Sequence, residues 1–487
     1  MKQPCLRTFK GMRLADETAE HSALKIAQRV TSREVTATEV IASCLSRIEA
    51  FNPAVNAFTA IYRERALDRA IAVDEMVQHG TKLPLAGVPF AVKNLFDVAG
   101  ETTVAGSKIL ASNSASAADA VLVQRIEAQG GVLVGSLNMG EFAYDFTGEN
   151  QHYGPCRNPW DLAHMSGGSS SGSGAALAAG IVPLTLGSDT NGSIRVPSAF
   201  CSVYGLKPTY GRLPRTGAYP FCDSLDHVGV MARSVPDLAA AYNCVQGYDS
   251  KDHACADRPS ELINLEKSIG RPLRVGLLEG YFRPPEFREA TNLVSKCADA
   301  LVSSSTVVEQ CELELAEAGR SAAFLITNVE GANLHFEKIL ARAEEFDPET
   351  RDRFISGNLL PAAWYIRAQR LRRQYAKEAA RLLARFDILL AAATPVRAPL
   401  LGQKTMLMGG DELNVRANLG YFTQPISCIG LPVICSPLPQ FNQSCPMPGL
   451  GVQIIAAPWR EDLCFIAAAR LSEIGITSSA VATLETV

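Results

Sequence analysis

Two Gly/Ser turns lie close together between Met165 and Arg195: Gly167-Gly168-Ser169-Ser170-Ser171-Gly172-Ser173-Gly174 and Asp189-Thr190-Asn191-Gly192-Ser193. On one short unit they can bring two hydroxyls and several backbone N–H groups to one point. Such a point has the makings of an active site. A hydroxyl is a poor nucleophile until a base takes its proton and amides receive the oxyanion. Histidine is the usual base, but none of the chain's seven histidines lies in these turns. Gly168–Gly172 matches G-x-S-x-G, a cheap match inside a Gly/Ser run, and Asp161 to Ser166 do not read as the strand a nucleophile elbow needs. A lysine can act as base if burial lowers its pKa. Lys93 ends the apolar run Val88–Val92; taken alone, that placement fits a lysine reaching for solvent better than a base. The Gly-rich loop has other readings too. It could cradle a phosphate at a helix start, although no P-loop lysine or G-x-G-x-x-G is present. It could be a plain linker, but element-forming apolar sequence follows it directly.

The elements that must position these groups alternate between helices and short apolar strands, which indicates an α/β layered fold. Helices are expected over Leu24–Val30, from a Thr36/Glu39 capping box to a stop at Asn52-Pro53, over Tyr62–Gln78 and over Ala118–Gln129. Strands are expected within Leu85–Asn94 and Val132–Gly135. A small-residue helix and an apolar strand fill Ala175–Leu186, between the two turns. Downstream, Ser234–Gln246, a stretch ending near Ser303, Ala316–Ala343, Pro361–Phe386 and Glu461–Glu473 read as helices. Leu273–Leu278, a stretch near Val307, Asp387–Ala392, Leu431–Pro437 and Gly449–Ile455 read as strands. Asp249–Gly270 is polar and Pro-containing, a surface connection. Residues 1–20 read as an extension, and 21–487 as one domain with its core signature at about 85–240.

The composition excludes several classes. With 487 residues, 47% hydrophobic and 20% charged, the chain suits one large soluble α/β protein. A net charge of −4 offers no global field for nucleic acid or an anionic membrane. The 13 cysteines are scattered without C-x-x-C or zinc spacing, which points to reduced thiols in a cytoplasmic setting and to no metal. No window has the length of a membrane span without charges.

Jointly, these motifs resemble the amidase signature family. The family's pattern is G-G-S-S-G-G-S followed by D-x-G-G-S-I-R-x-P; here it reads G-G-S-S-S-G-S and D-T-N-G-S-I-R-V-P. Ser169 and Ser193 stand 24 residues apart, as that pattern requires. Upstream, P-F-A-V-K-N matches the family's lysine motif, and the resemblance runs from about Leu24 to the last helix. It implies an α/β amidase signature fold, a mixed central β-sheet covered by helices on both faces. It also implies hydrolysis of linear amides without a cofactor. Ser193 would be the nucleophile, Ser169 (in a cis peptide) the bridge, and neutral Lys93 the base. The amides of Thr190, Asn191, Gly192 and Ser193 would form the oxyanion hole. Ser170 would support Lys93, and Asp189 and Arg195 would brace the turn. The chain departs from the pattern at Ser171 and Asn191, where glycine is usual. Neither change removes a catalytic group, and Asn tolerates positive φ.

Asn138–Tyr144 and Gly154–Asp161 resemble a subgroup that holds the A subunits of tRNA-dependent amidotransferases and the catalytic subunits of 1-carboxybiuret hydrolases. Asn94–Asp97, Tyr219-Pro220-Phe221, Asp352–Gly357 and Ala456–Trp459 bring the wording nearer to the second. The resemblance implies that Arg353 holds a substrate carboxylate, for which a guanidinium is suited. It implies that Tyr144, Tyr219, Asp226 and His227 line the pocket; for His227 a hydrogen-bonded core histidine fits as well. Gly420 stands where the amidotransferase has an acidic residue, which argues against glutamine and for a carboxylated, urea-like substrate such as 1-carboxybiuret. The alternatives are a non-catalytic amidase-fold binding protein, although relatives of that kind usually lose the triad, and the glutaminase chain of an amidotransferase. A homodimer is one implied partnership; a small helical accessory chain, like the C subunit of the amidotransferases, is another.

Overall fold

A computed structural model describes residues 22–266, 271–302, 306–438 and 449–484. The expected extension 1–20 lies outside the described residues. An eleven-stranded sheet organises the rest. From edge to edge its strands are Phe58–Ile61, Val132–Leu137, Pro89–Lys93, Leu184–Asp189, His227–Ala232, Tyr204–Lys207, Val433–Pro437, Gly451–Ala456, Ile388–Ala392, Leu273–Leu278 and Thr306–Cys311. Pro89–Lys93 pairs in parallel with both neighbours. From Leu184–Asp189 to Ile388–Ala392 every pairing is antiparallel, and the last two pairings are parallel again.

The mixed sheet is covered on both faces, as the resemblance implied. Every residue of Pro89–Lys93, Val132–Leu137, Leu184–Asp189, His227–Ala232 and Gly451–Ala456 is buried. Side chains alternate across a strand, so full burial requires a layer on each side. This is why all of these but His227–Ala232, which opens on a histidine and carries Gly229, read as unbroken apolar runs rather than as alternating ones.

Most helices fall where periodicity placed them. The Thr36/Glu39 capping box is formed, and the last helix spans Glu461–Glu473. Pro53 does not end its helix; it sits in the last turn, and the helix runs to Val55 with left-handed Asn56 as its cap. Asn52 stabilises the exit by bracketing Phe58, accepting from its amide at 2.7 Å and donating to its carbonyl at 3.1 Å. Asp161–Met165 is a strand after all, but it pairs with Arg157-Asn158 in a separate two-stranded sheet. The main-sheet strand of a nucleophile elbow is therefore still absent before Ser169. Among the elements that escaped the sequence reading are the main-sheet strands Phe58–Ile61, Tyr204–Lys207 and His227–Ala232, the helix Arg195–Phe200 behind the second turn, and the helix Pro348–Asn358 that carries Arg353.

Candidate active site

Lys93 and Asp189 close adjacent parallel strands, and the site forms beyond those carboxyl ends. Ligand sites of open α/β sheets lie in this position. Between the strand ends sits the start of the helix Ser171–Ala178, whose eight residues are all buried. Only small residues let a helix lie this deep. At Gly172 a Cβ would come within 2.3 Å of the Ala57 carbonyl oxygen. The loop ahead of the helix is equally tight, since a Cβ on Gly168 would meet the Asp145 carboxylate at 2.6 Å. The Gly168–Ser169 peptide is cis.

Lys93 is fully buried and does not reach solvent. Its Nζ is 2.6 Å from Ser169 Oγ and 2.8 Å from Ser188 Oγ. Burial pulls its pKa from 10.5 to about 7, against the opposing fields of Asp189, Asp226 and Asp145. Near neutral pH it is thus a free amine for part of the time, and a free amine can accept a proton. Ser188 is the hydroxyl the sequence reading missed. The expected support, Ser170, donates instead to the Ser188 carbonyl at 3.1 Å, and the Ser188 amide donates back at 3.3 Å. Ser170 therefore reaches Lys93 only through the strand end. Ser171 turns away as well, donating to the Asn138 carbonyl at 3.1 Å.

Ser193 is brought to this cluster through the backbone, where the Ser170 amide donates to the Ser193 carbonyl at 3.2 Å. Its turn is held by Asp189. One carboxylate oxygen accepts from the Gly192 amide at 2.7 Å, the other from the Ile194 amide at 3.1 Å. Arg195 clamps both oxygens at 2.9 Å and also reaches the Thr423 carbonyl, Gln453 and Ser427. Burial raises the Asp189 pKa, but the charge and hydrogen bonds of Arg195, with Lys207 and His227 nearby, hold it well below the usual carboxylate range. The brace expected of Asp189 and Arg195 is thus a fully buried, bidentate ion pair.

This brace changes the expected set of oxyanion donors. The Gly192 amide is occupied by Asp189, whereas no hydrogen bond among the described residues uses the amides of Thr190, Asn191 or Ser193. The positive φ also falls on Gly192, at 140°, and not on Asn191. A Cβ on Gly192 would lie 2.2 Å from Thr423 Oγ1, which itself donates to the Asn191 carbonyl at 2.7 Å.

Two cavities flank the turn, and the expected pocket residues divide between them. The smaller is lined by Ser193, Asn191, Thr190, Tyr144, Arg353 and Arg416. Arg353 lies 4.9 Å over the Tyr144 ring and donates to the Tyr144 carbonyl at 3.4 Å. It forms no ion pair among the described residues, and burial pulls its pKa below the usual arginine value. The Tyr144 hydroxyl is taken by Asn328, so Tyr144 offers the cavity only its ring. Arg416, which no motif pointed to, is paired with Asp145, Asp347 and Glu349.

The larger cavity, about 430 Å³, is lined by Ser188, Thr190, Tyr219, Asp226 and His227. Tyr219 and His227 thus line this second cavity, which shares Ala143, Thr190 and Phe221 with the one at Ser193. His227 is a core histidine. Its Nδ1 lies 2.7 Å from the Leu225 carbonyl and 3.1 Å from that of Asp189, and burial with Lys207 nearby drives its pKa well below 6.5. Asp226 accepts from the Thr190 hydroxyl at 2.7 Å. Gly420 abuts Phe146, whose ring would stand 2.5 Å from a Cβ there. No acidic side chain fits at that position without moving Phe146.

Among the described residues no group of three or more His, Cys, Asp and Glu is placed to hold a metal, and no helix is long and apolar enough to cross a membrane.

Residues 39–465 match the family model described as Amidase. The chain is 48% identical over 458 residues to AtzE, the 1-carboxybiuret hydrolase subunit of Pseudomonas sp. (strain ADP), covering 93% of this chain and 98% of that protein. It is 34% identical over 467 residues to the A subunit of the glutamyl-tRNA(Gln) amidotransferase of Carboxydothermus hydrogenoformans, covering 90% and 94%. One similar solved structure comes from a vestigial protein complex that reveals the evolutionary origins of an s-triazine catabolic enzyme. It superposes with a TM-score of 0.90 at 46% identity, covering 94% of this chain and 100% of that one. A 6-aminohexanoate cyclic dimer hydrolase complexed with substrate matches with a TM-score of 0.80 at 28% identity, covering 93% and 96%.

Proposed function

The chain belongs to the amidase family and is a hydrolase of C–N bonds, and from that premise we propose that it hydrolyses the terminal amide of a small carboxylated urea, 1-carboxybiuret or a close analogue. The observation that carries this reading is Arg353, a half-buried guanidinium without an ion-pair partner among the described residues, facing the same cavity as Ser193. A cation partly withdrawn from water without a counter-charge is costly, and a substrate carboxylate removes that cost through a charge-assisted contact. The 48% identity to a 1-carboxybiuret hydrolase chain points the same way.

In this mechanism neutral Lys93 draws the proton of Ser169, which takes that of Ser193 as its oxygen attacks the terminal carbonyl. The oxyanion is received by the amides of Thr190, Asn191 and Ser193. Collapse of the tetrahedral adduct breaks the C–N bond, and the proton returns through Ser169 to the leaving nitrogen, giving ammonia and a Ser193 ester. Water, deprotonated by the same relay, cleaves the ester and restores the serine. From 1-carboxybiuret the products are ammonia and a dicarboxylated urea.

The glutaminase reading has the 34% identity to an amidotransferase chain in its favour. Against it, a free amino group needs an acidic partner. Gly420 supplies none, and Asp145 already accepts from Thr147 and Gly148 and pairs with Arg416. Both of these relatives are subunits of larger enzymes, and we infer that this chain too works as a homodimer of catalytic chains that binds a small helical accessory protein.

The test is ammonia release from biuret-type carboxylates and from glutamine, by folded protein with and without its accessory protein. Release from the former and not the latter is expected, and Ser193→Ala should lower it by at least about 10³-fold. Turnover of glutamine alone, or unchanged turnover in Ser193→Ala, refutes the assignment.

A further inference from the structure

Asn191 is 7% exposed, and its Oδ1 is buried without a hydrogen-bond partner on the wall of the Ser193 cavity. A buried acceptor left unpaired is costly, and such an atom calls for an explanation. Its orientation is set from behind. The amide nitrogen Nδ2 donates to Thr327 Oγ1 at 2.8 Å. An asparagine amide can be turned either way, so what matters is whether Thr327 must accept there.

A chain of donors starting at Glu330 bears on this. The Glu330 carboxylate can only accept, and it receives the Ser224 hydroxyl at 2.5 Å, the Tyr365 hydroxyl at 2.8 Å and the Ser224 amide at 2.9 Å. Its fourth donor is the Cys222 thiol at 3.2 Å. Burial, with Glu330 and Asp226 beside it, keeps that thiol protonated. With its proton directed at Glu330, the Cys222 thiol does not compete as a donor for neighbouring Thr327. Thr327 Oγ1 accepts from Asn191 Nδ2 at 2.8 Å. In this arrangement the amide nitrogen faces the helix Ala316–Arg342 and its oxygen faces the cavity.

We propose that Asn191 Oδ1 is a specificity-determining acceptor that reads a substrate N–H next to the scissile carbonyl, so that the site selects ureido compounds over plain carboxylated amides. Ser193 and Asn191 line the same small cavity, with Arg353 on its wall. A carboxylate on Arg353 and a carbonyl at Ser193 place the linking atom of the substrate beside Asn191. An N–H there satisfies Oδ1, whereas a methylene leaves it buried and unpaired, the circumstance in which polar sites discriminate well. The proposal rests on the reading of Arg353 as the carboxylate holder and Ser193 as the nucleophile.

The test uses two stable carboxylates, N-carbamoylglycine and succinamate, which differ only by N–H against CH₂ beside the terminal carboxamide carbonyl. Their binding to full-length Ser193→Ala protein is measured by titration calorimetry, free of turnover. N-carbamoylglycine is expected to bind about tenfold more tightly. Asn191→Gly in that background should bring the ratio to about one. Thr327→Val, which releases the amide, should also lower the ratio, and Thr327→Ser should restore it. Equal affinity of the two compounds, or a ratio that survives both Asn191→Gly and Thr327→Val, overturns the role of Asn191 and leaves the carboxylate reading intact. If neither binds, the carboxylate reading itself falls, and this proposal with it.

Discussion

Replacing Lys93 with methionine should abolish activity and, at neutral pH, stabilise the fold. Methionine matches the length of the lysine chain and removes its charge. In the folded protein burial brings the Lys93 pKa from 10.5 down to about 7, a penalty on the charged form of about 5 kcal/mol. The sign follows from proton counting. Below pH 7 both folded and unfolded chains hold the proton, and the penalty is felt in full. Between about 7 and 10.5 the unfolded chain binds more protons than the folded one, so stability rises with pH. Above 10.5 the penalty is gone. Methionine escapes it at every pH but forfeits the contacts with Ser169 and Ser188, each about 1 kcal/mol. The net gain near pH 7 is about 2–3 kcal/mol, or about 2–3 °C in Tm for a chain of this length. Scanning calorimetry of both proteins at matched rates, from pH 6.5 to 10, gives the comparison. The Tm advantage of Lys93→Met should shrink as pH rises, because only the wild type recovers. Its turnover should fall by at least about 10²-fold, while wild-type kcat/KM should climb through an apparent pKa near 7. A Tm difference independent of pH, together with a flat wild-type pH–rate profile between 6 and 8, would refute a buried, depressed Lys93.

Arg195→Met leaves the Asp189 carboxylate buried without its partner. The expected cost is about 3–5 kcal/mol, seen as a Tm loss of about 3–5 °C, with activity falling as the Ser193 turn loosens. Gly192→Ala places a Cβ 2.2 Å from Thr423 Oγ1 at a φ of 140°; loss of turnover is expected, and near-normal kcat would contradict the turn geometry. Arg353→Lys keeps the charge but not the bidentate fork. It should raise KM for carboxylated substrates about tenfold or more while changing kcat less; an unchanged KM would remove Arg353 from the carboxylate site.

Much of this site was legible in the chain because its parts are local. A Gly/Ser run that allows a helix to lie against backbone, a carboxylate three residues before the amide it holds, and a lysine closing an apolar strand are short-range features. Steric and hydrogen-bonding rules act on neighbouring residues, so such features leave a mark in the sequence. Most strands buried on both faces, His227–Ala232 excepted, were legible for the same reason, as unbroken apolar runs.

The remaining choices were made by packing. Ser188 and not Ser170 meets Lys93, because the strand ending in Asp189 runs parallel beside the strand ending in Lys93, and that register is not written in either strand. The Gly192 amide is lost to Asp189 because Arg195, clamped by residues more than 200 positions away, fixes where the carboxylate points. Tyr219 and His227 open on one cavity and Tyr144 and Arg353 on another, since each follows the face of its own strand, loop or helix. Asn191, a departure from pattern in the sequence, becomes an oriented acceptor only through Thr327 on another element. The chain alone thus determined the family and the fold class, and it pointed to the groups proposed to carry the chemistry. The tertiary structure decided which hydroxyl, which amides and which cavity wall those groups meet, because such contacts arise where distant elements pack, and no local rule acts across that distance.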